Sequence, residues 1–210
     1  QKADRVFIFL PTIPERNVAF LGTLKCGAIA GTLFAAFQEE ALLDRLSDSG
    51  ASVVVTNAEL YPRIQNIQNR LPALKTVIIP DSQTAEAQGS TKVISYRDAM
   101  VAASEEFDCA PMKKDDFAYM LYTSGTTGRP KGCMLSNAYF LWAGEWYAAL
   151  DGVCSVGRDT ERVMTPLPLS HMNAMACSTM VILTAGGCLV QLDRFHPQTW
   201  LRSARESGAT

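Results

Sequence analysis

The stretch YTSGTTGRPKG at residues 122–132 gathers three glycines, four Ser/Thr hydroxyls, one proline and two cations, Arg129 and Lys131, directly behind the apolar run FAYML. Gly125, Gly128 and Gly132 free the backbone, so successive N–H groups can turn toward one anion. Ser124, Thr126 and Thr127 add hydroxyl donors, and Lys131 supplies a mobile point charge of the kind used on terminal phosphates. The chemistry such a stretch could do is to cradle phosphate; the competing reading is a plain surface turn. It is not a Walker loop, because GTTGRPKG has only two residues between its first glycines and Pro130 disfavours a helix ahead of Lys131. The next helix is expected to start at Ser136 or Asn137, a capping residue ahead of AYFLWAGEWYAAL.

The elements that must position this loop alternate along the chain. A strand VFIFLP is followed by a helix running through ERNVAFLGTLKCGAIAG, with Val18, Leu21, Leu24 and Ala28 at helical spacing and Gly27 and Gly31 at its end. A second helix, QEEALLDRLSDSG, stops at Gly50 before the buried-strand run ASVVVT. The segment AELYPRIQNIQNRLP is expected to be helical with a break near Pro62, and KTVIIP is the next strand. The polar interval DSQTAEAQGSTK is expected to be a surface loop, ISYRDAMVAASEEF another helix, and KKDDFAYMLYT the return to the sheet. This order predicts an α/β fold with mostly parallel sheets flanked by helices. A loop behind such a strand would sit at the carboxyl end of the sheet, where ligands of these folds bind.

Composition excludes several function classes. With 210 residues, 48% hydrophobic and 19% charged, and a formal charge of −2, the chain can bury a good core and carries no basic excess for nucleic acid. Its apolar runs fall short of the roughly 18 residues a membrane span needs, and it opens on QKADR rather than a signal peptide. The six cysteines form no CxxC pair and read as reduced packing residues in a cytosol, with no metal site expected. Trp142, Trp146 and Tyr147, at helical spacing, read as packing, as do Met180 and Ile182. Glu39, Glu40 and Asp44 read as a solvated helix face. No linker argues for an internal domain boundary. Both ends look cut, which predicts a fragment of a longer protein.

The stretch at residues 122–132 resembles the phosphate-binding signature of the adenylate-forming superfamily, which includes acyl-CoA synthetases, luciferases and the adenylation domains of peptide synthetases. PLPLSHMNAM resembles the family's proline-and-histidine segment beside the acyl pocket, and RVFIFLPTIPERNVAFLGTLKCGAIAG its N-terminal architecture. The resemblance covers nearly the whole chain and implies that residues 1–210 are an incomplete part of the large N-terminal domain, cut at both ends and lacking the C-terminal subdomain.

The resemblance further implies an AMP-forming acid–thiol ligase using ATP, magnesium and coenzyme A on a small carboxylic acid, within fatty-acid metabolism and in the cytoplasm. It assigns Thr123, Ser124, Gly125, Thr126, Thr127 and Gly128 to gripping the β- and γ-phosphates, and Lys131 to neutralising their charge. His171 and Asn173 would line the acyl pocket, against a reading of His171 as a residue that only fixes the loop after Pro166 and Pro168. The stretches FLPTIPERNVAFLGTLKCGAIAG and PLSHMNAMACSTM are most similar in character to crotonobetaine/carnitine-type ligases. Two alternatives stand beside this one: a peptide-synthetase adenylation domain, and a non-catalytic nucleotide- or phosphate-binding module.

Overall fold

A computed structural model describes residues 1–80, 91–123 and 128–210, which pack as two compact units, Gln1–Leu135 and Ser136–Thr210. The first unit carries strands β1 (Arg5–Phe9), β2 (Ile29–Thr32), β3 (Val53–Thr56), β4 (Thr76–Ile79), β5 (Lys92–Ser95), β6 (Phe117–Thr123) and β7 (Lys131–Ser136). Their helices are α1 (Pro14–Lys25), α2 (Glu39–Ser49), α3 (Tyr61–Gln65) and α4 (Tyr96–Ala102). The strands form one sheet in the order β5-β4-β3-β1-β2-β6-β7, and the pairs from β5 through to β6 are parallel.

The sheet is apolar on both faces because helices cover both, which is why its strands read as continuous hydrophobic runs rather than alternating ones. On one face Phe7, Phe9, Val54, Val77 and Ile79 pack with Leu42 and Leu46 of α2 and Ile64 of α3. Each fully buried side chain of this kind contributes about 1.5–3 kcal/mol of transfer free energy. On the other, Phe20 of α1 meets Tyr119 of β6 edge-on, ring centroids 6.0 Å apart. Helix α2 turns Leu42, Leu43 and Leu46 inward and leaves Asp44, Ser47 and Asp48 exposed, so its outer face is polar and its inner face anchored.

The second unit holds α5 (Asn137–Ala148), a parallel strand pair β8 (Arg162–Thr165) and β9 (Cys188–Gln191), a π-helical segment Asn173–Thr179 running into α6 (Met180–Ala185), and α7 (Trp200–Ser207). Ser136 caps α5 by accepting a hydrogen bond from the Tyr139 N–H, as its position in the sequence predicts.

Several expectations need correction. The first helix ends at Lys25, and Ile29–Thr32, read as its tail, is strand β2. Gly31 is there for packing, since a Cβ would strike the Phe7 ring on the neighbouring strand. Pro62 does not break its helix but occupies the first turn of α3, where the missing N–H costs nothing. The expected helix from Ile94 begins only at Tyr96, after β5. Trp142 and Trp146 are 63% and 50% exposed, because α5 turns Phe140, Ala143 and Gly144 inward and the stacked indoles lie on the other face. None of the six cysteines is buried: Cys26 caps α1 and Cys133 lies on an edge strand, so neither reaches the core. Met180 and Ile182 are buried, as expected. The interval 81–90, expected as a surface loop, lies outside the described residues.

Candidate functional site

The glycine-rich stretch joins β6 to β7 at the carboxyl end of the parallel sheet. Thr123, the last residue of β6, is exposed. Ser124, Gly125, Thr126 and Thr127 lie outside the described residues. Gly128 has φ +118°, a conformation that residues with a side chain rarely adopt, and a Cβ there would meet nothing within 4 Å; the demand is conformational rather than steric. Lys131 opens β7 with its side chain exposed, and among the described residues no carboxylate pairs with it. A strand therefore follows the loop, which separates it from the strand–loop–helix of a Walker site.

The start of the loop is held from below. Tyr122 donates its hydroxyl to Asp48 Oδ2 at 2.6 Å, across 74 residues of sequence. Burial, and then the hydrogen bond to the Asp48 carboxylate, push the Tyr122 phenol well above its ordinary range, so it remains a donor at any physiological pH. The Arg45 guanidinium lies 6.0 Å from the Tyr122 ring centroid and 4.2 Å from that of Phe37, and Phe7 tilts against the same phenol at 6.2 Å. A Cβ on Gly132 would stand 3.1 Å from Tyr122 Cζ and 3.2 Å from its hydroxyl, so the strand leaving the loop leans on the same ring. A cleft of about 390 Å³ runs alongside, lined by Asp44, Ser47 and Asp48 of α2, by Arg70, and by Arg129 and Pro130 of the loop. Arg129 is exposed, as its place in the motif predicts.

On the opposite face of β6 a second polar group is sealed in. The Tyr119 hydroxyl and the Thr32 hydroxyl share a hydrogen bond between β6 and β2, and burial pushes the Tyr119 phenol up to about 12. Beside it lies Arg16, 3% exposed, whose Nε and Nη2 find no hydrogen-bond partner among the described residues. Desolvation pushes this guanidinium down from its ordinary value.

His171 and Asn173 belong to the second unit, and both are exposed. The His171 N–H donates to Pro168 O at 2.9 Å and its carbonyl accepts from Met175 at 3.0 Å, which ties the PLPLSH turn to the start of the π-helical segment. Asn173 is the first residue of that segment, followed inward by buried Ala174, Met175 and Ala176. Among the described residues no three His, Cys, Asp or Glu side chains group as a metal site, and no helix is long and apolar enough to cross a membrane.

Sequence reasoning missed Asp48, Arg45 and the Tyr119–Thr32–Arg16 group. Tyr122 stood in the quoted motif, but nothing local in the sequence marks its partner on α2.

Residues 1–210 match the family described as AMP-binding enzyme. The chain is 46% identical over 134 residues to an acetyl-coenzyme A synthetase of Bacillus subtilis, covering 64% of this chain and 23% of that protein. It is 28% identical over 211 residues to a crotonobetaine/carnitine–CoA ligase of Escherichia coli, covering all of this chain and 40% of the relative. Among solved structures, ATP-bound MatB from Rhodopseudomonas palustris superposes with a TM-score of 0.76 at 28% identity, over 96% of this chain and 37% of that one. A Brucella canis acyl-CoA synthetase shares the fold with a TM-score of 0.81 at 23% identity, over 100% and 37% of the two chains. The chain thus spans between about a quarter and two fifths of the length of these curated relatives.

Proposed function

Because the chain belongs to the AMP-binding enzyme family, we propose that it is the phosphate-holding part of an ATP-dependent acid–thiol ligase. Such an enzyme converts a small carboxylic acid to its acyl adenylate and passes the acyl group to coenzyme A. The observation that carries this reading is the glycine-rich loop at the carboxyl end of a parallel sheet, closed by an exposed lysine that no carboxylate engages among the described residues.

The reaction begins when a carboxylate oxygen attacks the α-phosphorus of ATP. The bond from that phosphorus to its bridging oxygen breaks, and pyrophosphate leaves with the electron pair. A carboxylic acid is already ionised at neutral pH, so this step needs no general base. It needs the reactants held in line and the charge growing on the leaving group neutralised. We assign the second task to the Lys131 ammonium and to the hydroxyls and backbone N–H groups of residues 123–128. A thiol sulfur then attacks the acyl carbon, the bond to the adenylate oxygen breaks, and AMP leaves. His171 and Asn173 are assigned to the acid pocket. Magnesium would arrive on the nucleotide phosphates; the described residues provide no carboxylate cluster to hold it.

For the substrate we favour a short or polar acid. The names of the acetyl-CoA synthetase and the crotonobetaine/carnitine–CoA ligase that the chain resembles support this. We assign the reaction to the cytoplasm, in keeping with its use of ATP and coenzyme A.

The test is to incubate the full-length protein with ATP, coenzyme A and a panel running from acetate to crotonobetaine, and to follow acyl-AMP and acyl-CoA by mass spectrometry. Acyl-CoA from a short or polar acid is the expected product. Transfer only to a carrier-protein thiol would replace coenzyme A as the acceptor, and nucleotide binding without pyrophosphate release would remove the catalytic reading.

A further inference from the structure

Asp48 occupies a position that local rules disfavour. It stands in the last turn of α2, where the carbonyl end of the helix carries partial negative charge and where no basic residue offsets it. A carboxylate there works against its own helix, and a side chain that breaks a local rule calls for a compensating contact elsewhere. The contact is the 2.6 Å hydrogen bond from the Tyr122 hydroxyl. Tyr122 is the residue immediately before Thr123, the first hydroxyl of the loop. The strand leaving the loop rests on the same phenol through Gly132, and Arg129 and Pro130 line a cleft against Asp44 and Asp48. Helix α2 is itself immobilised by buried Leu42, Leu43 and Leu46 on its inner face.

We propose that Asp48 is a positioning residue for nucleotide binding: by holding the Tyr122 hydroxyl, it fixes the two ends of the glycine-rich loop relative to the rigid helix α2. This rests on the ligase reading above. Asp48 touches no substrate in this scheme. It acts through Tyr122, and its loss lets the phenol swing, displacing Thr123 on one side and Gly132 on the other. The affinity for the nucleotide phosphates then falls, while the acid, which the loop does not hold, binds as before.

The experiment is a double-mutant cycle in the full-length protein, with Asp48→Ala, Tyr122→Phe and the double variant compared by ATP–pyrophosphate exchange and by thermal melting. Each single variant is expected to raise the KM for ATP about 5- to 10-fold with the KM for the acid unchanged, and the double variant to be no worse than either single one. Asp48→Asn, which keeps an acceptor oxygen, is expected to restore most of the ATP affinity. Tyr122→Phe removes only a hydroxyl, so it keeps the test decisive even where Asp48→Ala folds poorly. Additive effects on the KM for ATP, or a drop in melting temperature with the KM unchanged, would overturn the positioning role while leaving the ligase reading in place. A folded wild-type protein without exchange activity would overturn the ligase reading and the positioning role together.

Discussion

Tyr119 and Tyr122 lie three residues apart on β6, on opposite faces of the sheet, and each holds a long-range hydrogen bond. Tyr119 is fully buried and binds Thr32, so its hydroxyl joins one strand to the next. Tyr122 is half-buried and binds Asp48, so its hydroxyl joins the end of a strand to a helix beneath the loop. The difference is one of purpose: the first bond closes the interior, and the second sets where a functional segment begins. Truncating the first should therefore be felt in stability and truncating the second in nucleotide affinity.

The largest expected effect breaks the interior member of the pair. Tyr119→Ala removes a fully buried aromatic ring and is expected to cost about 3–5 kcal/mol of stability, read from chemical denaturation. A loss below about 1 kcal/mol would mean that the α1 face of the sheet is not the sealed core described.

A pH titration sharpens the contrast. The Tyr119 phenol is pushed from an ordinary value near 10 to about 12 in the fold. Above pH 10 the unfolded chain loses this proton while the folded chain keeps it, so the unfolded state binds fewer protons and stability falls as pH rises. The contribution is constant below pH 10 and amounts to about 2–3 kcal/mol lost between pH 10 and pH 12. Melting curves across that window should show the decline, and Tyr119→Phe should make it shallower by that amount, the raised Tyr122 phenol keeping its own share. An equal decline in the Tyr119→Phe variant would assign it to other groups.

Next in size is Arg16, beside Tyr119. A guanidinium buried with two nitrogens lacking partners among the described residues carries a desolvation cost that the neighbouring Tyr119 offsets only in part. Arg16→Leu is expected to stabilise the fold by about 1–3 kcal/mol. Destabilisation of similar size would show that the cation has a partner that matters. The smallest effect belongs to the loop side: Gly132→Ala, whose Cβ would sit 3.1 Å from Tyr122 Cζ, is expected to raise the KM for ATP about 2- to 3-fold with little change in stability.

What the sequence made legible follows the range of the interactions involved. The alternation of strands and helices, the stop of α2 at Gly50 and the start of α5 at Ser136 are local signals, and all three are where the residue types put them. β2 was hidden because Ile29–Thr32 is four residues long, contains Gly31 and continues the apolar pattern of α1; only pairing with β1 and β6 makes it a strand. The glycine-rich loop was legible because its chemistry is concentrated in consecutive residues. Asp48 was not, because its meaning depends on a residue 74 positions away, and at sequence level it is one more acid on a polar helix face. The same holds for Arg16, whose burial nothing in the local sequence marks.

The central claim is that Lys131 and the loop it closes hold the phosphates of ATP during acid activation. ATP–pyrophosphate exchange by the full-length protein, wild type against Lys131→Ala, tests it most directly. Lys131 is exposed and unpaired among the described residues, so its removal should leave the melting temperature within a degree or two. The account predicts a fall in exchange of about 10²-fold or more in that folded variant. Wild-type exchange in Lys131→Ala would contradict it.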